Sequence, residues 1–212
     1  MAGRIAAIAD EACACFEKAA KEYGTVPHLG RSIADRAKGE LSEILSLAVV
    51  QCAPEIAGKD VGGKSFKLSD SLGQVVASTF SGNWCPPCRA MYPKDRELVE
   101  RHEGLVERHE GQPFALLSVN TDETRDGLRK SIVEGEITWK CWWDGGVDDP
   151  ICNQWNVMTF PSVYVLDAAG IIRFKGIEGQ KLDEAVGGLL GEWKRSMRCP
   201  KARSYQSAGV TA

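Results

Sequence analysis

The sequence predicts an α/β fold in which a mixed central sheet is flanked by helices and preceded by an N-terminal helical hairpin. Three observations predict it. The first fifty residues carry apolar side chains at helical spacing on either side of a single glycine and proline break. From residue 54 onward, short buried-type apolar runs alternate with amphipathic stretches. The last two such runs are separated only by Ala168-Ala169-Gly170, which is a hairpin signal.

The elements follow in order. Ile5, Ile8, Ala12, Phe16, Ala19 and Tyr23 make the stripe of a first helix, and Gly24-Thr25-Val26-Pro27-His28-Leu29-Gly30 breaks it. A second helix begins near Ser32 and carries Ile33, Ala37, Leu41, Ile44 and Ala48 on one side. The periodicity changes after Ala53-Pro54: Ser65 to Leu68 alternates as a short strand before a turn from Asp70 to Gly73, and Gln74 to Phe80 reads as a buried strand. Pro86 to His109 favours a helix with a break at Gly104, Phe114 to Val119 a second buried strand, and Thr124 to Val133 another helix. Strands at Ser162 to Asp167 and Ile171 to Lys175 precede a last helix from Leu182 to Arg195. The expected division is a hairpin extension over 1–53, a main domain over 54–197 and a flexible tail over 198–212.

Composition narrows the function classes. At 212 residues with 43% hydrophobic content, the chain has material for one well-buried domain and an appendage. A net charge of -3 gives no general attraction for nucleic acid or acidic membranes. The basic run of Lys194, Arg195, Arg198, Lys201 and Arg203 reads as a helix end followed by a solvated tail, so no nucleic-acid partner is expected. No stretch reaches the roughly 20 apolar residues of a membrane-spanning helix. Arg4 and the run Ile5 to Ala9 are interrupted by Asp10 and Glu11 before they resemble a signal-peptide core, so the chain as given shows no export signal and reads as cytoplasmic.

The sequence contains eight cysteines, and six of them, Cys13, Cys15, Cys52, Cys141, Cys152 and Cys199, have no framework spacing. They are read as small buried hydrophobes. The other two form Trp84-Cys85-Pro86-Pro87-Cys88, which follows a buried strand and opens a helix. In a first helical turn, residues three apart share a face, so the two sulfurs reach bonding distance. Unpaired N–H groups and the helix dipole favour a thiolate at Cys85, while Pro86 and Pro87 fit where a missing N–H costs no helical bond. Cys85 is therefore the expected nucleophile and Cys88 the resolving thiol. A zinc site would need two more ligands. His28, His102 and His109 offer no second pair, so neither metal nor cofactor is expected.

These residues carry a resemblance. Pro54-Glu55-Ile56, Leu68-Ser69-Asp70, Gly73 to Val76, Phe80, Trp84 to Ala90 and Pro93, with Trp155-Asn156-Val157, Thr159-Phe160-Pro161 and Val163 to Asp167, resemble bacterial TlpA/ResA-like redoxins of the thioredoxin superfamily over about residues 54 to 195. The resemblance implies a thioredoxin fold, a cis Phe160-Pro161 bond facing Cys85, and a substrate surface formed by Trp84, Pro86, Pro87, Phe160 and Pro161. It also implies protein disulfide or dithiol substrates, a thiol redox partner, a role in cell redox homeostasis and the bacterial cell envelope or periplasm as workplace. Two positions depart from the pattern. The buried acid that thioredoxins carry six residues before the first cysteine is Thr79, and the glutamate that many TlpA/ResA-like proteins carry three residues after the second is Met91.

Other signals are read as structural. Gly58-Lys59-Asp60-Val61-Gly62-Gly63-Lys64-Ser65 matches a phosphate-loop pattern, but the Phe66-Lys67-Leu68 strand follows it where a helix would be needed, so a glycine turn in a hairpin is expected. Trp139, Trp142, Trp143, Trp155 and Tyr164 are read as core or rim packing. Asp144, Asp148 and Asp149 are read as a solvated turn rather than a calcium loop. Two competing functions remain: a peroxiredoxin-like thiol peroxidase, whose Pro-x-x-x-Thr-x-x-Cys site is missing because Gly82 stands three before Cys85, and a non-catalytic adaptor docking a partner through the hairpin.

Overall fold

The computed structural model describes residues 2–28, 30–103, 113–147 and 150–198. The predicted positions Leu29, Gly104, His109, Asp148, Asp149, Cys199, Lys201 and Arg203, with most of the tail, lie outside the described residues.

The N-terminal segment folds as α1 (Ala2–Tyr23), a two-residue ladder of β1 (Pro27–His28) with β2 (Arg31–Ser32), and α2 (Ile33–Leu45). Ser32 caps α2, its Oγ accepting the Asp35 N–H at 3.1 Å, so the helix begins where a side-chain oxygen replaces the missing backbone acceptor. The stripe of α1 is rotated from the expected one. Ile8 and Tyr23 are exposed, and Ala9, Ala12, Cys13, Phe16, Ala19 and Ala20 form the half-buried face.

The main sheet has the order β7-β6-β5-β8-β9, formed by β5 (Val75–Ser81), β6 (Phe114–Asn120), β7 (Lys140–Trp143), β8 (Ser162–Leu166) and β9 (Ile172–Lys175). The β5–β6 and β6–β7 pairs are parallel, whereas β8 runs antiparallel to both β5 and β9. All seven residues of β5 are buried, as a central strand covered on both faces requires. One face packs Val75 and Ala77 against Tyr92, Leu98 and Val99 of α3 (Pro86–Glu103) and Leu182, Val186 and Leu189 of α6 (Gln180–Arg198). The other packs Val76 and Phe80 with Trp142, Trp155 and Tyr164. The tryptophans are thus mainly core, with Trp142 and Trp155 fully buried.

The two-residue strands β1 and β2 fall where the sequence showed only a break, and two further elements were not legible. β7 lies in a stretch where the sequence showed only tryptophans, and α5 (Pro150–Gln154) follows it. Asp144 starts α5 by accepting the Ile151 and Cys152 N–H groups at 3.2 and 3.0 Å, so this acid is a helix cap. α4 (Arg125–Val133) begins after Thr124, close to expectation, while α6 extends beyond both predicted ends. The strand read from Ser65 shortens to β4 (Ser65–Lys67), with Leu68–Ser71 forming a 3-10 turn. β4 pairs antiparallel with β3 (Ala57–Lys59), and Gly63 takes φ +90 in the turn between them. The phosphate-loop letters therefore form the expected hairpin turn, because no helix N-terminus stands there to hold phosphate.

The hairpin extension is seated on the main domain. Lys175 pairs with Glu43 and donates to the Leu47 carbonyl, and Arg31 donates to Asn153 Oδ1 at 3.3 Å and Met158 Sδ at 3.5 Å. Gly39 admits Asn156 so closely that a Cβ there would lie 2.3 Å from its Oδ1.

Candidate active site

The strand register gathers the site at one end of the sheet. β5 ends at Ser81, paired with Asn120 at the end of β6, and Phe80 pairs with Ser162 at the start of β8. The loop Gly82-Asn83-Trp84 ahead of Cys85, the loop after Asn120, and Pro161 ahead of Ser162 consequently meet beyond the carboxyl end of β5. Open α/β sheets place crevices at such strand ends.

Cys85 and Cys88 are joined by a disulfide with a Cα–Cα separation of 5.3 Å. Cys85 immediately precedes α3, and its Sγ accepts the Cys88 N–H at 3.2 Å. A sulfur at this position takes the place of an N-cap oxygen, facing one of the donors that a helix start leaves unpaired. Both cysteines are buried in this oxidised state. Placement at the helix start, rather than exposure, distinguishes them. Pro86 and Pro87 are exposed in the first turn, and Pro93 sits inside α3, where its missing N–H leaves the Arg89 carbonyl without its helical donor.

The Phe160-Pro161 bond is cis, as the resemblance implied. Trp84 is 51% exposed and meets Phe160 edge-on with ring centroids 5.2 Å apart. These rings bring the cysteine loop and the cis-proline loop together. Trp84 Nε1 donates to Thr121 Oγ1 at 3.1 Å, and that hydroxyl lies 3.1 Å from the Ser81 carbonyl to which it donates. Gly82 is required beneath this bond, since a Cβ there would stand 2.4 Å from Trp84 Nε1.

The two departures from the family pattern have apolar or neutral surroundings. Thr79 is buried on the α3-facing side of β5, and its Oγ1 has no hydrogen-bond partner among the described residues. Met91 is half-buried against the same core. One turn beyond Met91, Asp95 is 3% exposed, and burial, reinforced by the charges of Glu178 and Asp183, pushes its carboxyl up to about 7.

Of the remaining cysteines, Cys141 and Cys152 are buried as expected, and burial pushes the Cys141 thiol up to about 12. Cys13 is half-buried. Cys15 and Cys52 are exposed, contrary to the reading of all six as core residues, because one lies on the outer side of α1 and the other beside the β9 edge. Among the described residues no group of three or more His, Cys, Asp or Glu side chains could hold a metal ion, and no helix is long and apolar enough to cross a membrane.

Sequence reasoning missed Asn83, Tyr92, Thr121 and Asp122, which surround the loop before Cys85. The available signal was the polar run Asn120-Thr121-Asp122 at the carboxyl end of a buried strand, where sheet topology concentrates function.

The AhpC/TSA family profile matches residues 49–175. The chain is 27% identical over 126 residues to thioredoxin-like protein YneN of Bacillus subtilis, covering 58% of this chain and 68% of that protein. It is 36% identical over 98 residues to probable nucleoredoxin 1 of Arabidopsis thaliana, covering 44% of this chain but only 15% of that longer protein. Among solved structures, the thioredoxin domain of a thiol-disulfide oxidoreductase from Bacteroides vulgatus superposes with a TM-score of 0.60 at 25% identity, covering 68% of this chain and 99% of that one. The fold is a thioredoxin fold.

Proposed function

The chain belongs to the AhpC/TSA family, and from that premise we propose that it is a thiol-disulfide oxidoreductase acting on protein disulfides or dithiols through Cys85 and Cys88. The observation that carries this reading is the Cys85 sulfur at the start of α3, accepting the Cys88 N–H while disulfide-bonded to that same residue. An N–H aimed at the sulfur stabilises the thiolate, which is the attacking species.

In the reducing direction, the Cys85 thiolate attacks one sulfur of a substrate disulfide, and the departing substrate thiolate takes up a proton. The Cys88 thiol then loses its proton and attacks Cys85, breaking the mixed disulfide and releasing the second substrate thiol. Two electrons and two protons have passed to substrate, and the Cys85–Cys88 disulfide remains. A thiol redox partner restores the dithiol by the same steps. Trp84, Phe160 and the exposed Pro86 and Pro87 form the rim that a substrate strand meets, and backbone groups beside Pro161 pair with it.

The test is a redox titration in glutathione or dithiothreitol buffers, followed by Trp84 fluorescence and by alkylation with mass spectrometry. A reversible two-electron transition that disappears in Cys85→Ser supports the reading. Thiols that never react under native conditions would sink it in favour of an adaptor. Rapid peroxide turnover dependent on Cys85, without exchange on protein disulfides, would replace it with a peroxidase.

A further inference from the structure

Cys85 sits at the end of a loop held by side chains that take no part in sulfur exchange. Asp122, in the segment after β6, is central among them. Its Oδ1 accepts the Asn83 N–H at 2.7 Å, its Oδ2 accepts the Asn120 Nδ2–H at 3.1 Å, and its own N–H donates to Asn120 Oδ1 at 3.2 Å. A side chain whose two oxygens both accept N–H bonds is satisfied as an anion. The group is buried, and Trp143 Nε1 donates to its carbonyl at 2.9 Å. Gly127 of α4 lies so near that a Cβ there would stand 3.1 Å from Oδ2. Asn83 is also held from its other side, where its Oδ1 accepts Tyr92 Oη of α3 at 3.1 Å and lies 3.3 Å from Ser131 Oγ of α4.

Charged and titratable groups on the elements around this loop include Cys88, Arg89 and Tyr92 on α3, Glu123 beside Asp122, Arg125 on α4, Glu136 after α4 and Cys141 on β7, while Asp126, Arg129 and Lys130 of α4 and Lys140 of β7 are exposed. Arg89 and Glu123 are exposed. Arg125 lies over the Trp143 ring at 4.5 Å, and half-buried Glu136 accepts the Ser131 hydroxyl at 2.9 Å. Burial pushes Tyr92 well above its ordinary value, so it serves as a neutral donor. Asp122 is the buried anion bonded directly to the loop.

We infer that Asp122 is a positioning residue for Cys85 that also opposes its ionisation. Through the Asn83 N–H it fixes the loop two residues ahead of the nucleophile, and it sets a buried negative charge against the thiolate that the helix start favours. The inference rests on Cys85 being the nucleophile, as proposed above. The helix donor and the carboxylate act with opposite signs, so the thiol is less acidic, and its disulfide harder to reduce, than the helix alone would make it. Two residues of chain span at most about 7 Å, which puts the carboxylate within roughly 10 Å of the Cys85 backbone. At that range a partly screened charge moves a titration by about half to one pH unit.

The experiment measures the rate of iodoacetamide alkylation of Cys85 against pH in the full reduced chain carrying Cys88→Ser. Peptide mass spectrometry separates Cys85 from exposed Cys15 and Cys52. Adding Asp122→Asn is expected to lower the midpoint by about half to one unit, and Glu123→Gln to leave it in place. In the intact pair, Asp122→Asn is expected to make the disulfide about three- to tenfold easier to reduce by glutathione at a pH above the midpoint. An unchanged or raised midpoint overturns the inference; a raised one is what simple loosening of the helix start would give. A second measurement needs no variant of Asp122: in the reduced wild type, the carboxyl carbon-13 signal of Asp122 should show an inflection at the Cys85 midpoint that vanishes in Cys85→Ser. Its absence overturns the inference even if Asp122→Asn does not fold. A wild-type redox transition with neither effect removes the Asp122 inference alone, whereas no transition removes the oxidoreductase reading and this inference with it.

Discussion

The two ends of the disulfide have unlike surroundings. Ahead of Cys85 the loop is held by hydrogen bonds to polar side chains: Asp122 and Tyr92 hold Asn83, and Thr121 holds the Trp84 indole. At the two positions that depart from the family pattern, and one turn on, the chain offers a threonine without a hydrogen-bond partner among the described residues, a methionine against the core, and an aspartate whose carboxyl is pushed up to about 7. On the proposed roles of the two cysteines, the difference teaches that geometry at the attacking sulfur and proton removal at the resolving sulfur are separate provisions. This chain is built for the first. For the second it has no acid at Thr79 or Met91, and Asp95 stands seven residues past Cys88, about 10 Å along the helix.

Separating the two sulfurs outright gives the largest effect. In Cys88→Ser, attack by Cys85 persists while release stops, so turnover of a protein disulfide should fall by about a thousandfold or more as a mixed disulfide accumulates, visible by mass spectrometry. A mixed disulfide that accumulates on Cys88 in Cys85→Ser instead would reverse the assignment of the two ends. Supplying the missing acid comes next. Met91→Glu should speed resolution by about ten- to a hundredfold and give it a new pH dependence in single-turnover kinetics. If rate and profile are unchanged, proton removal is not what the resolving side lacks.

Asp95 tests the same side through stability. Its folded value of about 7 lies above the ordinary carboxylate value of about 3.9, so between these limits the folded chain holds a proton that the unfolded chain has lost. Stability is then fullest below about pH 4 and declines as pH rises toward 7. Asp95→Asn should flatten that decline and stabilise the protein at pH 8 by on the order of 2 kcal/mol, measured by urea denaturation across pH. The smallest change is expected from Thr79→Val, which removes a buried hydroxyl that bonds nothing among the described residues and should alter stability by less than about 1 kcal/mol, in the stabilising direction. A loss of several kcal/mol would show that the hydroxyl holds something on the resolving side.

The strand, cysteine pair and helix could be read from sequence because each is local: a buried run, a spacing of three, and prolines where a helix can begin. The cis-proline loop required the resemblance, since no local rule distinguishes Phe160-Pro161 from a trans bond. β7 escaped because Lys140–Trp143 is too short for alternation to register. The Asp122 tie escaped because its partner lies 39 residues away, and Asn-Thr-Asp after a strand is also what an ordinary turn looks like. Exposed Cys15 and Cys52 show that residue preference does not fix which side of an element faces the core.

The segment after α2 also has a consequence for how copies of this protein meet one another. Val50 and Ile172 share one backbone hydrogen bond, Ile172 and Gln51 a second, and Ala53 and Gly170 a third, so the chain runs beside the start of β9 and occupies the outward groups of Ile172. At the opposite margin Phe66 of the β3–β4 hairpin stacks on Trp142 of β7, with centroids 4.3 Å apart and planes within 10°. Sheet margins left bare are templates on which a second chain can add a strand. Cutting the chain at residue 54 would therefore uncover the start of β9, and the cost would appear as self-association in concentrated solution before it appeared in sulfur chemistry.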